Sequence, residues 1–284
     1  MHINSKTKMF CLLGHPIEQS FSPSIHNYLF HKYKQNCVYT CFDVNPKSLQ
    51  EAIKGIRALN ISGFNITIPH KVEVMNYLDE IDNNASLIGA VNTVKNEGGI
   101  LKGYNTDGEG FVKSILDNGF SISGKKIMII GAGGSCRSIS IYLSSNNAKT
   151  IEIRNRSIDK AKEISNVIND NFKTKSTYST KVIDENDLKD IDILINTTPI
   201  GMASDECPID KTIKPNKDLL VCDIVYKPHN TSFINWAKQN ELNIIYGIEM
   251  LINQGLEAFS IWTNINTTIE DKENIRRIYE ESIK

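Results

Sequence analysis

The feature that most constrains this chain is a glycine-rich turn placed directly after an apolar run. The run is Lys126-Ile127-Met128-Ile129-Ile130, and Gly131-Ala132-Gly133-Gly134-Ser135 follow it. A buried strand that turns on glycines into a helix lets the backbone and its unpaired N–H groups approach the phosphates of a dinucleotide. Cys136 replaces the third glycine of the strict G-x-G-x-x-G pattern. A tight turn in another α/β protein and the S-adenosylmethionine site of a methyltransferase therefore remain alternatives.

The residues after the next predicted strand, at 150–153, indicate which dinucleotide would bind. An NAD site usually has an acidic residue there, which accepts a hydrogen bond from the ribose 2′-hydroxyl. This chain has Arg154-Asn155-Arg156-Ser157 instead, and three of its six arginines (Arg137, Arg154 and Arg156) fall within this one strand–helix–strand unit. The planar guanidinium suits a phosphate. The sequence therefore predicts NADP.

Composition indicates an ordinary globular protein of one large or two medium-sized domains. The chain has 284 residues, of which 40% are hydrophobic, and a formal net charge of −1. We therefore expect a small-molecule partner, with no nucleic acid and no membrane. The sequence contains no apolar run of membrane-spanning length and no signal-peptide pattern, which favours the cytoplasm. Its cysteines form no C-x-x-C pair and its histidines lack metal-ligand spacing, so we expect reduced thiols and no metal.

Apolar runs alternate with amphipathic segments along the first hundred residues, which is typical of β-α-β units and a mainly parallel sheet. A second alternating series begins at residue 126, and the chain after Gly247 has a helical pattern to its end. We predict two α/β domains with C-terminal helices that return to the first domain. The substrate domain would comprise residues 1–106 plus 248–284, and a Rossmann-type dinucleotide domain residues 107–247.

The periodicity places individual elements along both series. Strands are predicted at 9–13, 38–44, 64–68, 126–130, 150–153, 191–195, 219–225 and 243–246, with a hairpin over 90–101. Helices are predicted at 23–33, 47–59, 71–79, 134–145, 158–169, 248–266 and 270–283. The active site of such a fold lies outside the carboxyl ends of its strands.

Two serines precede the first predicted helix. Ser22 followed by Pro23 is typical of an N-cap and first-turn pair, and a capped helix alone would account for it. The hydroxyls of Ser20 and Ser22 beside a positive helix end also form a small anion site that a substrate carboxylate could fill.

Three further polar residues are candidates for chemistry. Lys71 follows a strand and Pro69, and it is either a solvated surface group or a general acid/base; the neighbouring His70 is more typical of a structural role. Asp107 is either a helix cap or a carboxylate that orients a lysine and accepts from a substrate hydroxyl. Gln254 interrupts an apolar helix stripe, one turn after Met250, so it should have a polar partner.

Taken in order, the motifs resemble the shikimate dehydrogenase family from about residue 9 to residue 263. They are Ser20-x-Ser22-Pro23, Asn65-x-Thr67-x-Pro69-x-Lys71, Gly89-Ala90-Val91-Asn92-Thr93, Gly103-Tyr104-Asn105-Thr106-Asp107-Gly108, Gly131-Ala132-Gly133-Gly134, Asn155-Arg156-Ser157, Asn196-Thr197-Thr198-Pro199-Ile200-Gly201-Met202, Asp223-x-x-Tyr226 and Gly247-x-x-Met250-Leu251-x-x-Gln254.

The resemblance implies reversible, NADPH-dependent reduction of 3-dehydroshikimate to shikimate, in the biosynthesis of chorismate and the aromatic amino acids. It implies that Lys71 and Asp107 form the catalytic pair, with Lys71 donating the proton in the reductive direction. Ser20 and Ser22 would hold the substrate carboxylate. The hydroxyl-binding residues would be Thr67, Asn92, Asp107, Tyr226 and Gln254.

The resemblance also implies the cofactor contacts. The pyrophosphate would lie on Gly131, Ala132, Gly133, Gly134 and Ser135, and the 2′-phosphate on Asn155, Arg156 and Ser157, assisted by Lys160. The nicotinamide region would be lined by Thr197, Thr198, Ile224, Gly247 and Met250.

Alternatives remain at this point. A related quinate/shikimate dehydrogenase using NAD tends to have an aspartate soon after the Asn-Arg pair, and Asp159 follows Ile158 here. A non-catalytic small-molecule sensor could keep the fold, although it would not need Lys71 and Asp107. A monomer and a homodimer are both compatible with the sequence.

Overall fold

The structure is a computed structural model and describes residues 3–18 and 20–283. The chain divides into two compact units. The first comprises Met1–Thr106 and Ile252–Lys284, and the second comprises Asp107–Leu251. None of the helices among the described residues is long and apolar enough to cross a membrane.

The first unit contains a six-stranded sheet in the order β2-β1-β3-β5-β6-β4. Its strands are β1 (Lys8–Gly14), β2 (Cys37–Asp43), β3 (Gly63–Ile66), β4 (Glu80–Ile81), β5 (Thr93–Glu97) and β6 (Ile100–Tyr104). The pairs β1–β2, β1–β3 and β4–β6 are parallel, whereas β3–β5 and β5–β6 are antiparallel. The β5–β6 hairpin turns at Gly98 and Gly99, which both have positive φ.

The helices of the first unit include the end of the chain. They are α1 (Ser22–Lys32), α2 (Leu49–Ala58), α3 (Asn83–Ile88), most of α9 (Gly247–Thr263) and α10 (Ile269–Ser282), with 3-10 turns at Pro46–Ser48 and Glu73–Tyr77. Lys32 and Tyr33 at the end of α1 bind Asp271 of α10, with Nζ–Oδ1 2.8 Å and Oη–Oδ2 2.7 Å. The predicted return of the C-terminal helices to the first unit is confirmed.

The second unit has a fully parallel six-stranded sheet in the order β12-β11-β10-β7-β8-β9. Its strands are β7 (Lys126–Ile130), β8 (Thr150–Arg154), β9 (Lys175–Ser179), β10 (Ile193–Asn196), β11 (Leu220–Asp223) and β12 (Asn243–Ile245). The strand order reverses between β7 and β10, as in a Rossmann fold, and this is where such sheets bind their ligands.

Helices cover both faces of the second sheet. They are α4 (Asp107–Asp117), α5 (Gly134–Ser145), α6 (Ile158–Asn171), α7 (Glu185–Leu188) and α8 (Ser232–Gln239). One core contains Ile127, Ile129 and Ile151 with the helices α4, α5 and α6, and the other contains Met128, Leu194 and Trp236. Alternate residues of β7 thus face opposite cores, because side chains of a strand point alternately to the two faces of its sheet.

Most predicted elements are present with ends shifted by one to three residues. The region 71–79, predicted to be one helix, contains only the 3-10 turn Glu73–Tyr77. The edge strand β9 was missed because its sequence is mainly polar. It is held by hydrogen bonds such as Asn169 Oδ1 to Ser176 N (2.8 Å).

Candidate active site

In the first unit, Ser20 and Ser22 lie at the start of α1. The Ser22 amide donates to Ser20 Oγ (3.2 Å), and Ser22 is buried. The N-cap is Phe21, without a side-chain cap, so the prediction of Ser22 as the capping residue was wrong by one position. Since Ser22 does not cap the helix, helix capping alone does not explain why the two serines are present.

Asn92 lies within a buried polar network that joins β5 to the residues after β6. Its Oδ1 accepts from Thr106 N (2.8 Å), and its Nδ2 donates to Thr106 Oγ1 (3.0 Å). Asn65 continues the network, because its Nδ2 donates to Thr93 Oγ1 (3.0 Å) and its Oδ1 accepts from Tyr39 Oη (2.8 Å). These bonds fix the orientation of the Asn92 amide.

The segment after β3 carries Thr67 and Lys71. Thr67 N donates to Leu13 O (2.9 Å), and the Lys71 carbonyl accepts from Val91 N (2.8 Å). Lys71 is half-buried on a turn. His70 is buried and its Nε2 lies 2.7 Å from Val44 O, so its role is structural.

Asp107 is the first residue of α4 and is buried. A carboxylate in the first helical turn is stabilised by the positive end of the helix dipole. Gly108 is needed for close packing, because a Cβ there would lie 2.5 Å from Ser138 O. Gln254 lies in α9 on the first unit's side of the division at Leu251–Ile252, and it is also buried.

In the second unit, the glycine turn joins β7 to α5. Gly131 has φ +104°, and a Cβ there would lie 2.7 Å from Thr197 Oγ1, so no other residue fits without strain. The glycines 133 and 134 are exposed, and added Cβ atoms would meet open space. No side chain caps α5 at Gly133. The turn therefore presents an accessible helix N-terminus to an anion.

Arg154 has a different role from the one its position predicted. It is buried, its Nε lies 2.8 Å from Glu152 Oε1 and its Nη2 donates to Asp187 Oδ1 (2.8 Å). Arg137 is likewise paired with Glu163. The interpretation of Arg154 as part of a phosphate-binding set was wrong, because two carboxylates already neutralise it.

The remaining residues of the set are accessible. Arg156, Ser157 and Lys160 are exposed, and within the described part of the chain Arg156 forms no ion pair. Asn155 Nδ2 donates to Ser157 O (2.7 Å), and no side chain caps α6 at Ser157. This end of β8 thus offers a cation, a hydroxyl and a helix N-terminus together.

The loop after β10 contains Thr197 and Thr198. Thr197 donates through both its amide (2.8 Å) and its hydroxyl (2.7 Å) to Ile130 O, at the end of β7. Thr198 donates through its amide (3.0 Å) and hydroxyl (2.7 Å) to Asn196 Oδ1. The loop therefore lies against the glycine turn, at the point where strand order reverses.

Ile224 and Gly247 are also brought together. A Cβ on Gly247 would lie 2.6 Å from Ile224 O, so α9 can begin against the residues after β11 only with glycine there. Met250 is buried in the same core as these strands, with Ile224 packed against it. Tyr226, two residues after Ile224, is half-buried.

The sequence prediction missed the side chains that hold these loops: Asn196, Asp223 and Thr231. Asn196 and Asp223 occur in the quoted motifs, but only the structure reveals that Asn196 Nδ2 donates to Asp223 Oδ1 (3.0 Å). Over the described residues, no cluster of three or more His, Cys, Asp or Glu side chains is arranged to hold a metal ion.

The fold and the glycine turn define an α/β protein with a Rossmann-type dinucleotide-binding unit. Three family models match the chain: "Shikimate dehydrogenase substrate binding domain" at residues 12–94, "Shikimate / quinate 5-dehydrogenase" at 111–226 and "Shikimate 5'-dehydrogenase C-terminal domain" at 247–266. A shikimate dehydrogenase (NADP(+)) from Caldanaerobacter subterraneus subsp. tengcongensis is 43% identical over 265 residues, which cover 93% of this chain and 94% of that protein. The chain belongs to the shikimate dehydrogenase family.

Solved structures of shikimate dehydrogenases are also similar to this chain. The crystal structure of a shikimate dehydrogenase in complex with NADP+ superposes with a TM-score of 0.88 at 41% identity, covering 96% of each chain. The shikimate 5-dehydrogenase of Listeria monocytogenes, in complex with shikimate and NAD, gives a TM-score of 0.90 at 33% identity, covering 98% of each chain. The two neighbours hold different dinucleotides, so the choice of cofactor depends on side chains rather than on the fold.

Proposed function

We propose that this protein is an oxidoreductase that reversibly reduces 3-dehydroshikimate to shikimate with NADPH, in the biosynthesis of chorismate and the aromatic amino acids. The observation that carries the proposal is the similarity to NADP(+)-dependent shikimate dehydrogenases over more than nine-tenths of the chain. The predicted substrate domain, residues 1–106 plus 248–284, would bind substrate, and residues 107–247 would bind the dinucleotide; the compact units of the structure divide four residues later, at Leu251–Ile252.

The second unit fits NADP. The pyrophosphate would be held by the backbone of Gly131, Ala132, Gly133, Gly134 and Ser135, where the helix N-terminus is open. The 2′-phosphate would be held by Asn155, Arg156 and Ser157, with Lys160 nearby on α6. The nicotinamide would lie beside Thr197, Thr198, Ile224, Gly247 and Met250. When bound, NADPH supplies the hydride.

Arg156 is the main support for NADP rather than NAD. It is exposed and lacks an ion pair with any described residue, whereas Arg137 and Arg154 are paired with carboxylates. A guanidinium with free N–H groups can donate two hydrogen bonds to a phosphate dianion. Ile158 directly follows the Asn-Arg-Ser triplet, and Asp159, which comes one residue later, lies in the first turn of α6.

Lys71 and Asp107 would be the two catalytic residues. Lys71 is half-buried and cationic, so it can give a proton to the oxygen at C3 while hydride reaches the carbon, and can take it back in the oxidative direction. Asp107 is buried at a helix N-terminus, which suits a carboxylate that accepts from a lysine or a substrate hydroxyl.

The remaining polar residues would bind the substrate. Ser20 and Ser22 would hold its carboxylate through hydroxyl groups, since the start of α1 has no side-chain cap to compete. Asn92, fixed by Thr106, would present a defined amide face to a hydroxyl group. Thr67, Tyr226 and Gln254 would complete the hydroxyl-binding set.

The test is the absorbance at 340 nm after mixing the purified protein with shikimate and NADP, with NAD and quinate in parallel reactions. We expect NADPH to form with shikimate. The Lys71→Ala variant should lose about 1,000-fold in kcat, the scale of acid–base catalysis. Lys54→Ala, at an exposed lysine of the first unit, is the matched control and should be unchanged.

The alternatives predict different results. Faster turnover with quinate and NAD would identify a quinate/shikimate dehydrogenase. Bound dinucleotide without turnover of either substrate would favour the non-catalytic sensor and refute the proposed activity.

We further propose that the protein works in the cytoplasm as a monomer or homodimer with small molecules as its only partners. The six cysteines are free thiols in the structure, which suits a reducing compartment. Light scattering after size-exclusion chromatography would distinguish 31.9 kDa from twice that mass, and a larger assembly would contradict the proposal.

A further inference from the structure

Two polar residues end the adjacent parallel strands β10 and β11. Asn196 and Asp223 are register partners, and both side chains are almost completely buried. They lie at the carboxyl edge of the sheet, directly before the two loops that carry Thr197, Thr198 and Ile224. Buried polar side chains at such a position require hydrogen-bond partners.

The carboxylate of Asp223 accepts three hydrogen bonds from three different segments. Its Oδ1 accepts from Val225 N (3.0 Å) and from Asn196 Nδ2 (3.0 Å), and its Oδ2 accepts from Thr231 Oγ1 (2.7 Å). The first bond holds the turn after β11, the second reaches the β10 loop, and the third reaches the start of α8. One side chain therefore ties together three segments that are separate in sequence.

Asn196 transmits the constraint to the loop after β10. Because its Nδ2 faces the Asp223 carboxylate, its Oδ1 is directed at Thr198, where it accepts from the amide (3.0 Å) and the hydroxyl (2.7 Å). Thr198 Oγ1 in turn accepts from Ile200 N (3.2 Å). An anion beside Asn196 excludes the flipped amide, since that orientation would set two oxygens against each other.

Thr231 is oriented in the same way. Its hydroxyl gives its hydrogen to Asp223, so its lone pairs remain to accept from Ile234 N (3.1 Å) as the N-cap of α8. Its side chain also borders Gly201, where a Cβ would lie 3.1 Å from Thr231 Cβ. The far end of the β10 loop is therefore packed on a residue that Asp223 positions.

The carboxylate is held without a cation. Among the described residues, no Lys, Arg or His forms an ion pair with Asp223, and burial raises its pKa to about 6. The titratable groups that interact with it are the thiols of Cys207 and Cys222, both with raised pKa values and both neutral near pH 7. A buried carboxylate without a counter-ion is unfavourable for folding, which favours a role in function rather than stability.

We infer that Asp223 is a positioning residue which, through Asn196 and Thr231, holds the loops of Thr197–Thr198 and Ile224 in the geometry that receives the nicotinamide. The inference rests on the proposed function, because those residues line the nicotinamide only if the chain binds NADP. Asp223 acts through its neighbours and is not itself a catalytic residue.

The test compares Asp223→Ala with Asp223→Asn. The asparagine keeps an oxygen for Val225 N and Asn196 Nδ2, and its amide can donate to Thr231 Oγ1, so it preserves the arrangement without the charge. We expect Asp223→Ala to lower kcat by about 100-fold, the cost of misplacing bound groups by about 1 Å. Asp223→Asn should stay within about threefold of the natural protein, since the two hydrogen bonds at Oδ1 are retained and the contact with Thr231 is kept with its donor and acceptor exchanged.

A second pair checks the Thr231 branch. Thr231→Val removes the hydroxyl at nearly constant shape and should lower kcat by about tenfold, the value of one hydrogen bond to a charged group. Thr231→Ser retains the hydroxyl and should remain within about twofold of the natural protein.

Binding of 2′,5′-ADP separates positioning from general loss of structure. This probe has the adenosine and the 2′-phosphate but no nicotinamide. Its affinity should be unchanged in Asp223→Ala while the KM for NADP rises by about tenfold. Equal weakening of 2′,5′-ADP and NADP, or an Asp223→Asn variant as impaired as Asp223→Ala, would overturn the inference.

Hydrogen exchange tests the network without turnover. The amides of Thr198 and Val225 should exchange at least about tenfold faster in Asp223→Ala than in Asp223→Asn, whereas the Ile129 amide in β7 should not change. If the natural protein oxidises no shikimate, the proposed function fails. The exchange rates still decide whether Asp223 holds the two loops, and unchanged rates at Thr198 and Val225 would refute that part of the inference whatever the protein binds.

Discussion

Replacing Asp223 with asparagine should stabilise the second unit, and the gain should depend on pH. In the folded protein the carboxyl has a pKa of about 6 instead of its usual 3.8, chiefly because it is buried. Each tenfold change in proton affinity is worth about 1.4 kcal/mol. The deprotonated carboxylate at pH 7 therefore costs the folded state about 3 kcal/mol relative to the protonated form.

Proton binding determines whether this contribution to stability rises or falls with pH. The folded state binds this proton more tightly than the unfolded state, so the stability that the group contributes is complete below about pH 3.8 and is lost as the pH rises through about 6. Asparagine does not titrate. The free energy of unfolding of Asp223→Asn minus that of the natural protein should therefore increase by about 2 kcal/mol between pH 4 and pH 7, since part of the change already occurs below pH 4.

Urea unfolding at a series of pH values measures this difference. The chain has two tryptophans, Trp236 in the second unit and Trp262 in the first. A Trp262→Phe background in both proteins leaves the fluorescence of Trp236, buried in the second unit, as the probe. The control is Asp190→Asn, at an acid that is 86% exposed; its free energy of unfolding should differ from that of the natural protein by a nearly constant amount at every pH. If the difference for Asp223→Asn were also independent of pH, the reasoning would be refuted.

Other substitutions test the cofactor residues. Arg156→Ala should raise the KM for NADP by about 30-fold and leave the KM for NAD unchanged, because it removes a charged hydrogen bond to the 2′-phosphate; an equal effect on both would contradict this role. Arg154→Leu should lower stability, since it leaves Glu152 and Asp187 without their cation, while the KM for NADP of the folded protein stays the same. Gly131→Ala should lower the free energy of unfolding in urea by about 3 kcal/mol more than Gly119→Ala does. Both glycines have positive φ, but only a Cβ at Gly131 would contact Thr197. Equal losses of stability would show that the added Cβ does not crowd Thr197.

Five of the six strands of the second unit and its helices α5 and α6 could be predicted because their signal is local, whereas α4, α7 and α8 were not predicted. Lys126–Ile130, Gly134–Ser145 and the start of α6 each show their periodicity within a few residues, and their observed limits match the expectation closely. The edge strand β9 could not be predicted, since only Ser176 among its residues is well buried and no apolar alternation marks it.

Arg154 illustrates why part of the site was predicted incorrectly. From the sequence alone, Arg154 is as good a candidate for binding the phosphate as Arg156, which lies two residues later. What distinguishes them is Asp187, which is 33 positions further along the chain and approaches Arg154 only in the folded unit. The Asp223 network is non-local in the same way, because Asn196 lies 27 positions before it. The spacing of a motif predicts where such residues lie along the chain, but it does not predict which side chains they bind. The roles of Lys71 and the other site residues remain predictions for the kinetic tests.

The first unit is discontinuous in sequence, which affects the order in which the chain can fold during synthesis. Trp262 Nε1 donates to Val94 O (2.9 Å) across 168 positions, and Tyr33 binds Asp271. A ribosome adds about 5–20 residues per second, so the strand that carries Val94 would wait about 10–30 s for Trp262. The second unit, continuous from Asp107 to Leu251, emerges complete in the meantime. The part of the first unit that is made first is therefore completed last, because α10 and most of α9, which belong to the same unit, are made at the end of the chain.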